Sequence, residues 1–235
     1  MCKNFIYVSK VDFSLPQDFY NRLLQIISIE NRERCGRFMF IEDSLRTLYG
    51  ELVLRHALVQ HFSFKNEDIQ ILRDESGKPY LKGFPVHFNI SHSGDFVVCA
   101  ISEQPVGIDI EKIKTVDLKL AKRYFCQYEC RDLFAQDESN RLDYFFLLWT
   151  LKESYLKWLG SGMSIPLDSF SFKIEDNNIS MIDTCRIAKP FFRQYPMDGY
   201  KLSLCSMVTD FPDKIEEISL DEMKFTTERT NEDEF

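Results

Sequence analysis

Two long stretches of helical periodicity, each trailed by a set of short strand candidates, constrain the fold of this chain more than any other feature. Between Asp43 and Phe62, Leu45, Leu48, Leu52 and Val59 fall close to one face of a helix. Short β-type runs follow at Ile69–Arg73, Val86–Ile90, Val97–Ser102 and Val106–Ile110. The pattern returns from Arg141 to Leu159, with Phe145, Leu148, Leu151 and Tyr155 at helical spacing. Gly160-Ser161-Gly162 stops that helix, and Pro166 forbids its return. Strands are then expected near Ser169–Ile174, Ile179–Ile182, Phe191–Tyr195 and Leu202–Val208, with Asp176-Asn177-Asn178 as a turn. The same order of elements used twice predicts an α+β, pseudo-duplicated protein. Each half is expected to pack a long helix on a small, mostly antiparallel sheet. The expected halves are residues 1–111 and 112–227, joined near Lys112–Lys119, with 228–235 an acidic, frayed tail.

Composition narrows the partners. With 235 residues, 44% hydrophobic and 14% aromatic, the chain can bury a core rich in rings. No run of about 18 apolar residues exists, so no helix is expected to span a membrane. The start, Met1 to Val8, lacks the apolar stretch and cleavage site of a secretory signal. The seven cysteines include no Cys-x-x-Cys pair, and Cys126 with Cys130 alone do not make a zinc site. They read as reduced thiols of a cytoplasmic protein. The net charge of −8 is concentrated: residues 210–235 hold ten acids against Lys214, Lys224 and Arg229. The rest of the chain is nearly neutral, so neither a nucleic acid nor a membrane surface is an expected partner.

Three segments carry chemistry. In Val106-Gly-Ile-Asp-Ile-Glu111, strand alternation puts Asp109 and Glu111 on one face and Ile108 and Ile110 on the other. Two carboxylates so placed repel each other unless a cation lies between them, and hard oxygen ligands suit Mg²⁺. The competing reading is a solvated strand face. In the second helix, Trp149, Glu153 and Lys157 follow at four-residue intervals and form a stripe. Glu153 could add a third carboxylate and Lys157 could meet a phosphate; the plainer alternative is a helix ion pair worth a few tenths of a kcal/mol. The third segment joins Gly77-Lys78-Pro79 to His87-Phe-Asn-Ile-Ser91-His92-Ser93, which offers hydroxyl, imidazole and backbone donors to a phosphate. No Gly-x-Ser-x-Gly elbow supports a serine hydrolase.

Together with Phe125-Cys-Gln-Tyr-Glu129 and Trp149-x-x-Lys-Glu-Ser-x-x-Lys157, these segments stand in the order and spacing of 4′-phosphopantetheinyl transferases. The chain most resembles the larger, monomeric kind that activates surfactin and similar peptide synthetases, over about residues 5 to 220. The resemblance implies an enzyme that moves the phosphopantetheine arm of coenzyme A onto a serine of an apo acyl- or peptidyl-carrier protein, releasing 3′,5′-ADP. It implies that Asp109, Glu111 and Glu153 hold Mg²⁺ at the coenzyme A diphosphate, where Lys157 also binds. Ser91 and His92 would contact phosphates, His92 reaching the 3′-phosphate. Lys78 and Pro79 would line the adenine pocket, and Arg34 and Arg46 would hold the 3′-phosphate. Glu129 matches the general base, although a hydroxide on the metal could serve instead. Asn31 departs from the pattern, standing where a lysine is common.

Two rival functions remain in view on the residues alone. Asp109-Ile-Glu111-Lys112 could form the core of a Mg²⁺-dependent nuclease, and a non-enzymatic scaffold could bind carrier proteins or nucleotides. A nuclease would want a basic stripe that this near-neutral body lacks. A scaffold has no need of three carboxylates and a lysine on converging elements. Lys112, Lys114, Lys119, Lys122 and Arg123, opposed only by Asp117, give a local basic face suited to an acidic carrier protein.

Overall fold

A computed structural model of the chain describes residues 3–160, 162–175, 178–182 and 190–225. The first half opens with β1 (Asn4–Lys10), followed by two short helices, α1 (Gln17–Leu23) and α2 (Ile29–Cys35). The long helix α3 (Ile41–Phe62) comes next, and all four apolar positions of the sequence pattern are buried in it. A hairpin of β2 (Ile71–Arg73) and β3 (Pro79–Leu81) leads to β4 (His87–Ser93) and β5 (Phe96–Ser102). The sheet order is β11-β1-β5-β4, where β11 (Glu216–Glu217) is a short parallel edge supplied by the end of the chain.

The second half begins with β6 (Val106–Lys112) and two short helices, α4 (Ala121–Tyr124) and α5 (Gln127–Ala135). Its long helix, α6, spans Arg141–Leu159 and ends at Gly160 in the left-handed region, φ 70°. The hairpin β7 (Ser171–Glu175) and β8 (Asn178–Ile182) precedes β9 (Phe191–Met197) and β10 (Tyr200–Ser206). β6, β10 and β9 form an antiparallel sheet in that order. Each half therefore packs one long helix on a small sheet, the doubled α+β plan read from the sequence.

The sheet faces turned away from the helices meet in an apolar cluster that includes Ile6, Val98, Ile108, Ile110, Leu202 and Leu204. This shared layer makes the two halves one core and puts β4 and β6, the facing edges of the two sheets, side by side.

Several local expectations shift. Ile69 lies outside the strand expected from it and caps a short 3-10 turn at Asn66–Asp68. β10 starts two residues early and stops at Ser206, because the carbonyls of Val208 and Asp210 turn to accept from the Asn4 side chain. The short helices α1, α2, α4 and α5 were not read from the sequence; each is too brief to show a period. β6, placed by sequence at the end of the first half, pairs along its length with β10 of the second. Of the expected turn at Asp176-Asn177-Asn178, the first two residues lie outside the described residues, as does the tail 228–235.

Candidate active site at the seam of the two sheets

The seam is built by side chains where a backbone ladder is missing. Asn89 Oδ1 accepts from Ile108 N (2.8 Å), Ser91 Oγ from Ile110 N (3.4 Å) and Ser93 Oγ from Lys112 N (3.0 Å). Every second residue of β4 thus satisfies every second N–H of β6, which would otherwise be an unpaired sheet edge. The two serines have a second task. Ser91 Oγ donates to Asp109 Oδ1 (2.9 Å), and Ser93 Oγ donates to Glu111 Oε2 (2.8 Å). The strand that closes the seam therefore also aims the two carboxylates.

α6 reaches this edge because of one glycine. A Cβ on Gly107 would overlap Ser154 O and Trp158 N and lie 2.9 Å from Trp158 Cα, so only glycine lets the helix backbone rest on the strand. That approach brings Lys157 Nζ to 2.6 Å from Asp109 Oδ1 and 2.8 Å from Ser91 Oγ. Glu153, one turn earlier, lies in the field of Asp109, Glu111 and Lys157.

Three carboxylates and one ammonium make a tense group. Burial pushes the Asp109 carboxyl up from its ordinary value, while Lys157 and Ser91 pull it back. Glu111 is raised by burial and by the Asp109 charge, with Ser93 opposing. Glu153 is raised by burial and then by the charges of Asp109 and Glu111. Asp109 Oδ2 is buried with no hydrogen-bond partner. An orphaned carboxylate oxygen beside two further carboxylates is the donor chemistry of a hard divalent cation. As they stand, no group of three or more His, Cys, Asp or Glu side chains among the described residues is set to hold a metal ion, and Lys157 bonds to the other Asp109 oxygen.

Beside the seam lies a cleft of about 240 Å³ lined by Asn31, Arg34, Arg46, Pro79, Ile90 and His92, among others. The Arg34 guanidinium lies over the Phe38 ring, and Arg46 lies over Phe13 while bonding to Gly94 O (3.0 Å) and Asp43 (2.9 Å). The His92 imidazole is held below its ordinary value by desolvation within the cleft and by the charges of Lys157, Arg46 and Arg34. Asn31 on the wall is tied by its Nδ2 to Glu51 (2.7 Å), a buried carboxylate that also accepts from Ser28 and Arg55.

Most of the residues singled out by sequence meet here. Asp109, Glu111, Glu153, Lys157 and Ser91 converge at the seam, while Arg34, Arg46, Pro79 and His92 share the adjoining cleft. Two do not join them. Glu129 is fully buried among second-half groups: it pairs with Lys152 Nζ (2.8 Å) and accepts from Cys126 N (3.0 Å) and Phe172 N (2.9 Å). These partners all belong to the second half, and none of them is a seam residue. Lys78 sits next to Pro79, but its ammonium leaves the cleft and bonds to Lys157 O (2.6 Å) and Trp158 O (3.1 Å), with its pKa lowered by burial.

Sequence reasoning missed the roles of Asn89, Ser93 and Gly107. A period-two polar series facing an edge, Asn89-x-Ser91-x-Ser93, is the signal that could have found the first two.

Comparison with known families bears on this arrangement. The model of the 4′-phosphopantetheinyl transferase superfamily matches residues 105–205, and that of the 4′-phosphopantetheinyl transferase N-terminal region matches 15–104. The 4′-phosphopantetheinyl transferase Sfp of Bacillus subtilis (strain 168) is 41% identical over 221 residues, covering 93% of this chain and 99% of that protein. The 4′-phosphopantetheinyl transferase gsp of Aneurinibacillus migulanus is 38% identical over 84% of each chain. The L-aminoadipate-semialdehyde dehydrogenase-phosphopantetheinyl transferase of Homo sapiens is 32% identical over 68% of this chain and 57% of its own. With two family models meeting at the start of β6 and relatives this similar along nearly its whole length, the chain belongs to the 4′-phosphopantetheinyl transferase superfamily.

Proposed function

We propose that the seam is where this transferase moves the 4′-phosphopantetheine arm of coenzyme A onto a serine of an apo acyl- or peptidyl-carrier protein, releasing 3′,5′-ADP. The observation that carries the reading is the grouping of Lys157, Ser91 and three carboxylates beside a basic cleft. Arg34, Arg46 and His92 give that cleft the donors for the nucleotide phosphates, and Pro79 gives it an apolar wall. Lys157 Nζ is placed to meet the diphosphate, and Ser91 Oγ can donate to it once a cation takes over the Asp109 charge. Asp109, Glu111 and Glu153 would hold Mg²⁺, which supplies positive charge to phosphate oxygens when bound. The carrier hydroxyl forms the new bond to phosphorus, the bond to the ADP oxygen breaks with its electron pair going to the departing 3′,5′-ADP, and the hydroxyl proton passes to that leaving phosphate or to solvent. Glu129 supports this chemistry at a distance, by fixing α5 and β7 against α6.

In this reading the division of labour follows the halves, the first holding the nucleotide and the second supplying α6 and the carrier contacts. Lys122 borders a surface hollow with Phe125, Arg131 and Phe134, a mixed basic and apolar face suited to an acidic amphipathic carrier. Lys112 is partly spent on Asp95 (3.1 Å), which leaves Lys114, Lys119, Lys122 and Arg123 as the charges for docking. The site is completed within one chain, consistent with a monomer. No helix of the described residues is long and apolar enough to cross a membrane, and Cys35, Cys99, Cys126, Cys130 and Cys205 are free thiols.

The test is mass spectrometry of several apo-carrier proteins incubated with coenzyme A, Mg²⁺ and the enzyme. Asp109→Ala, Glu111→Ala and Glu153→Ala should each slow transfer at least about a hundredfold, near 2.7 kcal/mol of barrier. A near-normal rate for Glu111→Ala in metal-controlled buffer would remove that residue from the site.

A further inference from the structure

The C-terminal turn of α6 is held by a residue of the other half. A helix leaves its last carbonyls without internal partners. In α6, Gly160 N takes Leu156 O (3.0 Å), and the next two carbonyls, Lys157 O and Trp158 O, accept from Lys78 Nζ at 2.6 and 3.1 Å. The ammonium also sits at the negative end of the helix dipole. The path of the side chain is tight: a Cβ on Gly160 would lie 3.0 Å from Lys78 Cδ. At its other end Lys78 is fixed in the turn before β3. Asp74 Oδ1 accepts from Lys78 N (2.9 Å), and Lys78 O accepts from Asp74 N (3.0 Å). The following residue, Pro79, is cleft wall and pairs with Arg73.

Lys157 is thus gripped at both ends. Its backbone carbonyl is held by Lys78 from the β2–β3 turn, and its ammonium bridges β4 and β6 through Ser91 and Asp109. We infer that Lys78 is a positioning residue for Lys157: its ammonium links the Pro79 wall of the cleft to the last turn of α6 and fixes where the Lys157 ammonium stands at the seam. This rests on the reading of Lys157 as a phosphate-facing group. It differs from a direct role in holding the nucleotide, because the Lys78 ammonium is spent on two α6 carbonyls and Lys78 is not among the residues lining the cleft. Filling the cleft braces the Pro79 wall and, through Lys78, steadies Lys157.

Steady-state and single-turnover kinetics on coenzyme A and an apo-carrier separate these roles. Lys78→Met should lower kcat about tenfold or more while the coenzyme A KM stays within about twofold. Lys78→Arg, whose guanidinium can serve both carbonyls, should recover most of the rate. In a Lys157→Met background, Lys78→Met should add less than about a twofold loss, since the group it positions is gone. A raised KM with kcat kept would overturn the inference in favour of nucleotide contact. Losses that multiply in the double variant would reduce Lys78 to a general prop of the fold. If Lys157→Met alone is silent, the reading of Lys157 fails and takes the inference with it, an outcome distinct from either of the others. Should Lys78→Met not fold, Lys78→Gln, which keeps one donor, is read by the same split.

Discussion

The two long helices obey one plan and make contact in different ways. α3 meets its sheet through side chains: a Cβ on Gly50 would stand 3.1 Å from Ile90 Cγ2, the end of a movable chain. α6 meets β6 through backbone, with no room for any Cβ at Gly107. Both helices bury an ion pair, and again the use differs. Glu51 and Arg55 lie on α3 itself and tie down the loops at Ser28 and Asn66. Lys152 of α6 reaches Glu129 on α5, and its ammonium also donates to Leu167 O and Phe170 O. The half that carries Glu153 and Lys157 needs its helix axis fixed against a strand, because charges that share one ligand tolerate little displacement. The half that lines the cleft needs its loops fixed instead.

The sharpest way to break this comparison is Gly107→Ala. The added methyl must push α6 off β6 or distort the strand, so stability should fall by about 1–3 kcal/mol. Transfer should fall further than stability explains, at least about a hundredfold, because Lys157 and Glu153 move with the helix. Thermal melting beside carrier-loading rates checks both. A Gly107→Ala enzyme with normal rates would show that close backbone contact is not what aligns the site.

The buried pair in the second half comes next. Lys152→Met leaves Glu129 charged in the core, and removing one partner of such a pair costs about 3–5 kcal/mol. Glu129→Gln with Lys152→Met leaves no net charge and should be milder than Lys152→Met alone. With Glu129 acting only through structure, the double variant loads carrier at a rate set by its folded fraction, with an unchanged pH profile. Loss of the acidic limb of that profile, in protein that melts normally, would return Glu129 to the chemistry.

How much of this was visible in the sequence follows from what kind of pattern each feature makes. α3 and α6 were legible because Leu45, Leu48, Leu52, Phe145, Leu148 and Leu151 repeat at the helical period. Asp109 and Glu111 were legible through strand alternation, and Glu153 with Lys157 through their four-residue spacing. The place of Glu129 was not, since nothing local to Phe125-Cys-Gln-Tyr-Glu129 says which way the side chain turns. Lys152 held the missing clue: it follows Leu148 by four and precedes Tyr155 by three, so it lies on the buried face and needs a carboxylate. Lys78 was singled out for the adenine pocket, but its bonds to Lys157 O and Trp158 O were not legible, because capping a helix from another half is a product of tertiary placement. The β4–β6 seam was hidden for the same reason.

Acid should separate the helices more gently. α3 buries His56, whose Nδ1 accepts from Lys224 N (2.9 Å), and α6 contains no histidine. Burial holds this imidazole below its ordinary value, opposed by the Glu216 charge and the Lys224 N bond, with the charges of His61 and Lys224 adding smaller pushes downward; Tyr7 packs on its edge. The unfolded chain takes up the proton near pH 6.5, and the folded chain takes it up only at lower pH. His56 therefore contributes stability above pH 6.5 that is lost as pH falls towards the folded value, by at most about 1.4 kcal/mol per unit of difference. Denaturant titrations should show wild type losing stability across that interval with a steeper slope than His56→Gln. Parallel slopes would mean that the His56 proton is not what the strap at Lys224 senses.

The smallest effect is expected at Gly50→Ala, the mirror of the first test. Alanine in the middle of a helix is favoured over glycine by about 1 kcal/mol, partly because the unfolded chain has fewer states to lose. Against this stands the 3.1 Å approach to Ile90 Cγ2, which is tighter than ordinary contact but borne by a side chain that can turn. Because Ile90 also lines the cleft, a turn of its side chain could narrow the space beside Arg46 and His92. The net change in stability should stay within about 1 kcal/mol of zero, with kcat kept and any shift confined to the coenzyme A KM. Should Gly50→Ala instead match Gly107→Ala in lost rate, the two helix–sheet contacts would be equivalent. The contrast between side-chain and backbone packing would then explain nothing about why the charges gather on α6.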